Sequence, residues 1–181
     1  YKAMDADLYA SMTDNTDIRR SQFINDPTNG RHLQPARKFF ASNVIGGTSF
    51  TVTADYVYMR VEEAYLLNAE ANAIAGNEPA ARAALTALLT NRVADPTSVY
   101  VPATLSGPAL QAEIYKQTRL ELWGEGKSFF ALKRGKRTMI RGANHLSLVG
   151  VPVRYDDERF QFEKLLLRYW WAVTDFNWKE S

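Results

Sequence analysis

Cysteine is absent from the 181 residues. That excludes a disulfide framework, a zinc ribbon, an iron–sulfur site and a cysteine nucleophile, and it leaves the redox compartment unread. Histidine is scarce: His32 and His145 lie far apart with no helical or hairpin spacing between them. A multi-histidine metal site and a Ser-His-Asp arrangement therefore have no support, and no cofactor or metal is expected. A dominant sign of charge is also missing. The 22 Lys and Arg against 20 Asp and Glu leave a net +2, too balanced for nucleic acid or an anionic membrane surface to be the main partner. No stretch reaches the roughly 18 consecutive apolar residues of a spanning helix, and the most apolar tail segment, Leu165 to Val173, is interrupted by Arg168. Residues Tyr1 to Asp7 lack the basic start, apolar middle and small-residue cleavage site of a signal peptide.

What is present suits one compact domain or part of a larger one. Hydrophobic residues make up 46% and charged residues 23%, values that exclude a disordered, collagenous or coiled-coil chain. Residues 1–56 form a loop-rich segment, with turn chemistries such as Asn25-Asp26-Pro27-Thr28-Asn29-Gly30 and Gly46-Gly47-Thr48 and at most short strands around Lys38-Phe39-Phe40 and Phe50-Thr51-Val52.

The pattern changes at Tyr56. Ala64, Leu67, Ala71 and Ile74 recur at spacings of three and four, which predicts one face of a helix ending at Gly76-Asn77 in a left-handed cap. Asn77 is also placed to cap a second helix, with Glu78 and Pro79 in its first turn and Ala81, Ala84, Leu85, Leu88 and Leu89 inward. Residues 57–93 thus read as an antiparallel helical hairpin with small facing residues. A third helix is predicted over 109–123, with Leu110, Ile114, Thr118 and Glu121 on one face and Tyr115 and Leu122 beside them, and a short fourth piece over Phe129 to Arg134. The fold class is mainly α with long irregular loops. The domain reading is 1–56 loop-rich, 57–136 helical scaffold, and 137–181 loop and atypical tail.

Three chemistries are conceivable on this frame. Gly126-Lys127-Ser128 ends like a phosphate-binding loop, but Glu121 stands where the first glycine belongs and a helix, not a strand, precedes it. Glu121 with Glu125, or Glu63 with Glu70, would be candidate carboxylate pairs for glycoside hydrolysis. Arg60, Arg119, Lys133 and Arg134 surround them, and charges on the packed side of a helix usually sit in a compensated network. Arg60, Glu63, Glu70, Arg119, Glu121, Glu125 and Arg134 are therefore read as a structural charge network, and no catalytic residue is assigned. Loop aromatics suit stacking on sugar rings or peptides. Tyr9, Phe39, Phe40 and Tyr100 are the candidate ligand contacts, with the N-terminal block Tyr9 to Phe40 as the candidate surface.

Two stretches together resemble the SusD/RagB family: YMRVEEAYLLNAEANAIAGN, Tyr58 to Asn77, and RLELWGEGKSFFALKRGK, Arg119 to Lys136, with a Leu-Leu-x-x-Arg ending between them. The resemblance runs from roughly Ala54 to about Phe162. It implies a largely helical scaffold of tetratricopeptide-like pairs in a non-enzymatic, lipid-anchored protein on the outer face of the outer membrane. It further implies an oligosaccharide ligand, or a peptide in some members, and a SusC-like TonB-dependent transporter as partner. Family members are several hundred residues long, so the chain is expected to match their C-terminal half, without the lipidated cysteine. Lys164 to Ser181 departs from the family's polar ending. Two rival readings are a tetratricopeptide-type adaptor, which should show at least three hairpins where one is clear, and a glycoside hydrolase.

Overall fold

The computed structural model describes residues 3–36, 38–39 and 58–137. The chain divides into two units, residues 1–128 and 129–181. Six helices occur among the described residues: α1 (Ala6–Ala10), α2 (Val61–Ile74), α3 (Glu78–Leu89), α4 (Pro96–Val99), α5 (Gly107–Glu121) and α6 (Lys127–Arg134), with a 3-10 turn at Ile18–Gln22. No strand occurs among them, only an isolated bridge between Phe23 and Pro35. The mainly α reading holds.

The hairpin turn follows from two residues. Gly76 takes φ +79°, the left-handed region that costs glycine nothing. Its N–H donates to Ala73 O at 3.4 Å while Asn77 N–H donates to Asn72 O at 2.9 Å, so the last carbonyls of α2 are satisfied as in a Schellman motif. Asn77 occupies the N-cap position of α3, but its side chain makes no capping bond there. Glu78 serves instead as a tie between helices, accepting from Gly107 N–H at 2.7 Å where α5 begins.

The inward face of α3 is the predicted one, with Ala81, Leu85, Leu88 and Leu89 buried and Ala84 packed against them. On α2 the predicted face is corrected. Leu66, Ala69 and Ala73 are buried, whereas Ala64 and Ala71 are exposed and Ile74 is 65% exposed. The helix VEEAYLLNAEANAI carries apolar residues on nearly every side, so spacing alone does not choose among faces. The close approach to α3 selects the face whose small residues, Ala69 and Ala73, share one buried core with Ala81 and Leu85. From α5, Leu110 and Ile114 complete this core together with Val93, Tyr100, Val101 and Leu122.

The N-terminal block is less irregular than expected. Asp5 caps α1, its carboxylate accepting from Leu8 N–H at 2.9 Å, and Asp17 caps the 3-10 turn by accepting from Arg19 N–H at 3.0 Å. Met4, Leu8, Tyr9, Met12, Phe23 and Leu33 form a second core with Leu120, and Trp123 packs on it. The block therefore seats on the end of α5 rather than forming a separate lobe. Lys38 and Phe39 lie in a turn, while Phe40 and 50–52, where short strands were expected, are outside the described residues.

Candidate functional site

The last turn of α5 delivers a carboxylate into the protein. Leu110, Ile114 and Thr118 fix the buried stripe of α5, and the same periodicity turns Glu121 inward with its side chain 4% exposed. Around it four cations meet four carboxylates: Arg19, Lys38, Arg60 and Arg92 against Asp17, Glu62, Glu121 and Glu125.

Arg60 enters from the extended residue just before α2. Its Nη1 donates to Glu121 Oε1 at 2.7 Å, and its Nε and Nη2 donate to Glu125 Oε1 at 3.2 and 3.1 Å. It also donates to the backbone carbonyl of Glu121. Arg92 arrives from beyond α3 as a two-pronged donor, Nε to Glu121 Oε2 at 3.0 Å and Nη2 to Oε1 at 2.8 Å, and it shares Nη2 with Glu62 at 2.9 Å. Such fork-shaped pairs fix orientation as well as adding energy. From the N-terminal block, Lys38 Nζ reaches Glu125 Oε1 and the Glu121 carbonyl, both at 2.8 Å. Arg19, 1% exposed, clasps Asp17 at 2.9 and 2.7 Å and turns Nη1 to within 3.6 Å of Glu121 Oε2. The Tyr100 hydroxyl donates to Asp17 Oδ2 at 3.2 Å.

The electrostatics follow from this packing. Burial pushes the Glu121 carboxyl up, but hydrogen bonds from Arg92 and Arg60 and the Arg19 charge outweigh it and bring it down to about 2. Burial alone would lower Arg60, yet its bonds to Glu125 and Glu121 hold the guanidinium above its ordinary value. The bonds to Glu121 likewise raise Arg92. Burial lowers Lys38 despite its bond to Glu125, and burial raises the Tyr100 hydroxyl. A glycosidic acid needs a carboxyl raised toward neutrality. Glu121 is shifted the opposite way.

Of the residues read as a charge network, the structure brings Arg60, Glu121 and Glu125 together. Glu63 instead pairs with Lys127 at 3.1 Å, and that ammonium also lies 5.2 Å from the Tyr58 ring centroid. Glu70 is half-buried on α2, Arg119 lies over Tyr115 at 5.9 Å, and Arg134 is exposed at the end of α6. Asp17, Arg19, Lys38, Glu62 and Arg92 were not foreseen. Only Arg92 left a signal, as the last residue of the Leu-Leu-x-x-Arg ending.

The candidate ligand aromatics divide. Tyr9 is 7% exposed and Tyr100 3%. Tyr9 stands edge-on to Phe23 at 6.2 Å beneath Arg20, and Tyr100 lies under Lys116 at 4.9 Å. Neither offers an open stacking face. Phe39 is half-buried, 6.1 Å from Trp123 and directly over Gly124. Phe40 lies outside the described residues.

Among the described residues no group of three His, Asp or Glu side chains is arranged to hold a metal ion, and no helix is long and apolar enough to cross a membrane. Searches of the curated proteins and of the solved structures find no match. The sequence model of the SusD family, a family of nutrient-binding proteins generally associated with the outer membrane, matches residues 9–161. That span holds the Gly76 hairpin and every member of the Glu121 cluster, and on it the chain belongs to the SusD/RagB family.

Proposed function

We propose that the chain is a non-enzymatic oligosaccharide-binding component of an outer-membrane uptake complex, working as partner and lid of a SusC-like TonB-dependent transporter and held to the membrane by a lipid anchor. The family match over residues 9–161 carries this reading. The Glu121 cluster supports its non-enzymatic part. Four cations neutralise four carboxylates there, and Glu121, its carboxyl lowered to about 2, is held ionised by three arginines. An ionised, fully paired carboxylate has neither a proton to donate nor a free lone pair for a nucleophilic or basic role.

The ligand surface in this reading includes Phe39, half-buried in the N-terminal block, with its sequence neighbour Phe40 as the second candidate ring. Tyr9 and Tyr100 are buried and are left out of that surface, because a ring stacks on a sugar only with one face open. One or two rings with flanking polar groups bind at about millimolar strength, a free energy of about −4 kcal/mol. The test is calorimetric titration with neutral oligosaccharides and, separately, with short peptides. Saccharide binding weakened by Phe39→Ala and Phe40→Ala is the expected outcome. Binding of peptides alone would move the chain to the RagB-like peptide class, and release of shortened sugars would show an enzyme.

A further inference from the structure

We propose that Asn29 is a site of spontaneous covalent modification, losing its side-chain amide through a cyclic imide formed with the backbone nitrogen of Gly30. Asn29-Gly30 is the only Asn-Gly dipeptide in the chain. Ring closure needs the next backbone nitrogen to reach Cγ of the asparagine, and any side chain on that next residue obstructs it. Glycine offers no obstruction. Here Gly30 is exposed, and nothing lies within 4 Å of the point where a Cβ would stand.

The turn around the pair holds the asparagine and leaves the glycine open. Asn29 is held by its own N–H, which donates to Asp26 O at 3.1 Å, and by His32 N–H, which donates to Asn29 O at 2.8 Å. Arg31 N–H donates to Asn29 Oδ1 at 2.8 Å. That bond withdraws electron density from Cγ, and it leaves the amide nitrogen, not the oxygen, as the group to depart. Among the described residues Gly30 N–H makes no hydrogen bond.

In the first step the Gly30 nitrogen gives up its proton and forms a bond to Asn29 Cγ, and the bond from Cγ to the side-chain nitrogen breaks. Ammonia leaves with the proton, and nothing is oxidised or reduced. Water then opens the imide. Attack at Cγ leaves aspartate in the ordinary chain, whereas attack at the Asn29 backbone carbonyl routes the chain through the side chain as isoaspartate.

The second product matters to the fold. Just downstream, Leu33 is fully buried with φ 57°. It donates to Ile24 O and accepts from Met4 N–H, both at 2.8 Å. An extra backbone methylene at residue 29 shifts the register of these bonds and loosens the core around Met4, Phe23 and Leu33.

The experiment incubates the purified chain at mildly alkaline pH and follows peptide masses together with an isoaspartate-specific methyl-transfer assay. Conversion should concentrate at Asn29, outrun Asn25, Asn77 and Asn91, and lower the thermal midpoint as isoaspartate accumulates. Gly30→Ala has open space for its methyl group and retains the fold. It should slow conversion on the order of tenfold, a barrier rise of about 1.4 kcal/mol. An Asn29 amide that survives in the folded chain for the time in which an isolated peptide spanning 25–34 converts would overturn the proposal. Equal rates in the parent and Gly30→Ala would overturn it too.

Discussion

Arg60 Nη1 stands 2.7 Å from Glu121 Oε1, although 61 positions separate the two residues in the chain. The contact joins the entrance of α2 to the exit of α5. Because Arg92 and Arg19 meet the same carboxylate, Glu121 is the point at which the hairpin, α5 and the N-terminal block are fastened together.

That geometry sets the acid response. The Glu121 carboxyl lies at about 2 in the folded protein against an ordinary 4.5. Its stabilisation is therefore fully present above 4.5 and disappears as the pH falls through about 2. The shift corresponds to about 3 kcal/mol. Glu62 is lowered as well and acts in the same direction. Denaturant midpoints of the parent and of Glu121→Gln should converge as the pH drops across this window. Parallel curves would show that Glu121 is not the group responsible.

Gly124 should be less replaceable than Gly126. Both have positive φ, at 78° and 77°, so alanine at either meets backbone strain of roughly 1–2 kcal/mol. Only at Gly124 would the new Cβ meet Phe39 Cζ at 2.5 Å, whereas nothing lies within 4 Å at Gly126. Gly124→Ala should lose more stability than Gly126→Ala and should weaken saccharide binding by displacing Phe39. Equal losses in the two variants would mean that the Phe39 contact contributes nothing.

Tyr100→Phe removes the hydroxyl that donates to Asp17 Oδ2 at 3.2 Å and leaves the buried ring in place. Removing a buried hydrogen bond to a charged group should cost about 1.5–3 kcal/mol, with saccharide affinity unchanged. A parallel loss of affinity without a stability change would return Tyr100 to the ligand surface.

Much of the scaffold was legible because its determinants are local. The Gly76 turn, the inward stripe of α3 and the Leu110-Ile114-Thr118-Glu121 face of α5 each follow from spacing within one element. The α2 face was not, since an alanine-rich helix has several equivalent stripes and its neighbour selects among them. Glu121 was legible as a charge on the packed face of α5, and Arg60 and Glu125 as charges close to helix ends. Lys38 was not, because its bond to the Glu121 carbonyl spans 83 positions and no local pattern marks a lysine at a loop end as buried. Tyr9 was hidden for a related reason: a turn-rich sequence suggests an open surface, but α1 and the capped 3-10 turn fold that segment over its own aromatics; Tyr100 closes α4 and is buried in the core formed by the hairpin and α5.

Whether Glu121 is a structural fastening or a catalytic group is tested most directly by equilibrium unfolding of Glu121→Ala beside the parent protein at neutral pH. Removing the carboxylate takes one partner from each of Arg19, Arg60 and Arg92 and leaves the cluster with an uncompensated positive charge, and the loss of one partner from such a buried cluster costs about 3–5 kcal/mol. A loss of that size is expected, with no release of sugar products by either protein. An unchanged unfolding midpoint, with a hydrolytic activity present in the parent and missing from Glu121→Ala, would contradict it and make Glu121 a catalytic residue.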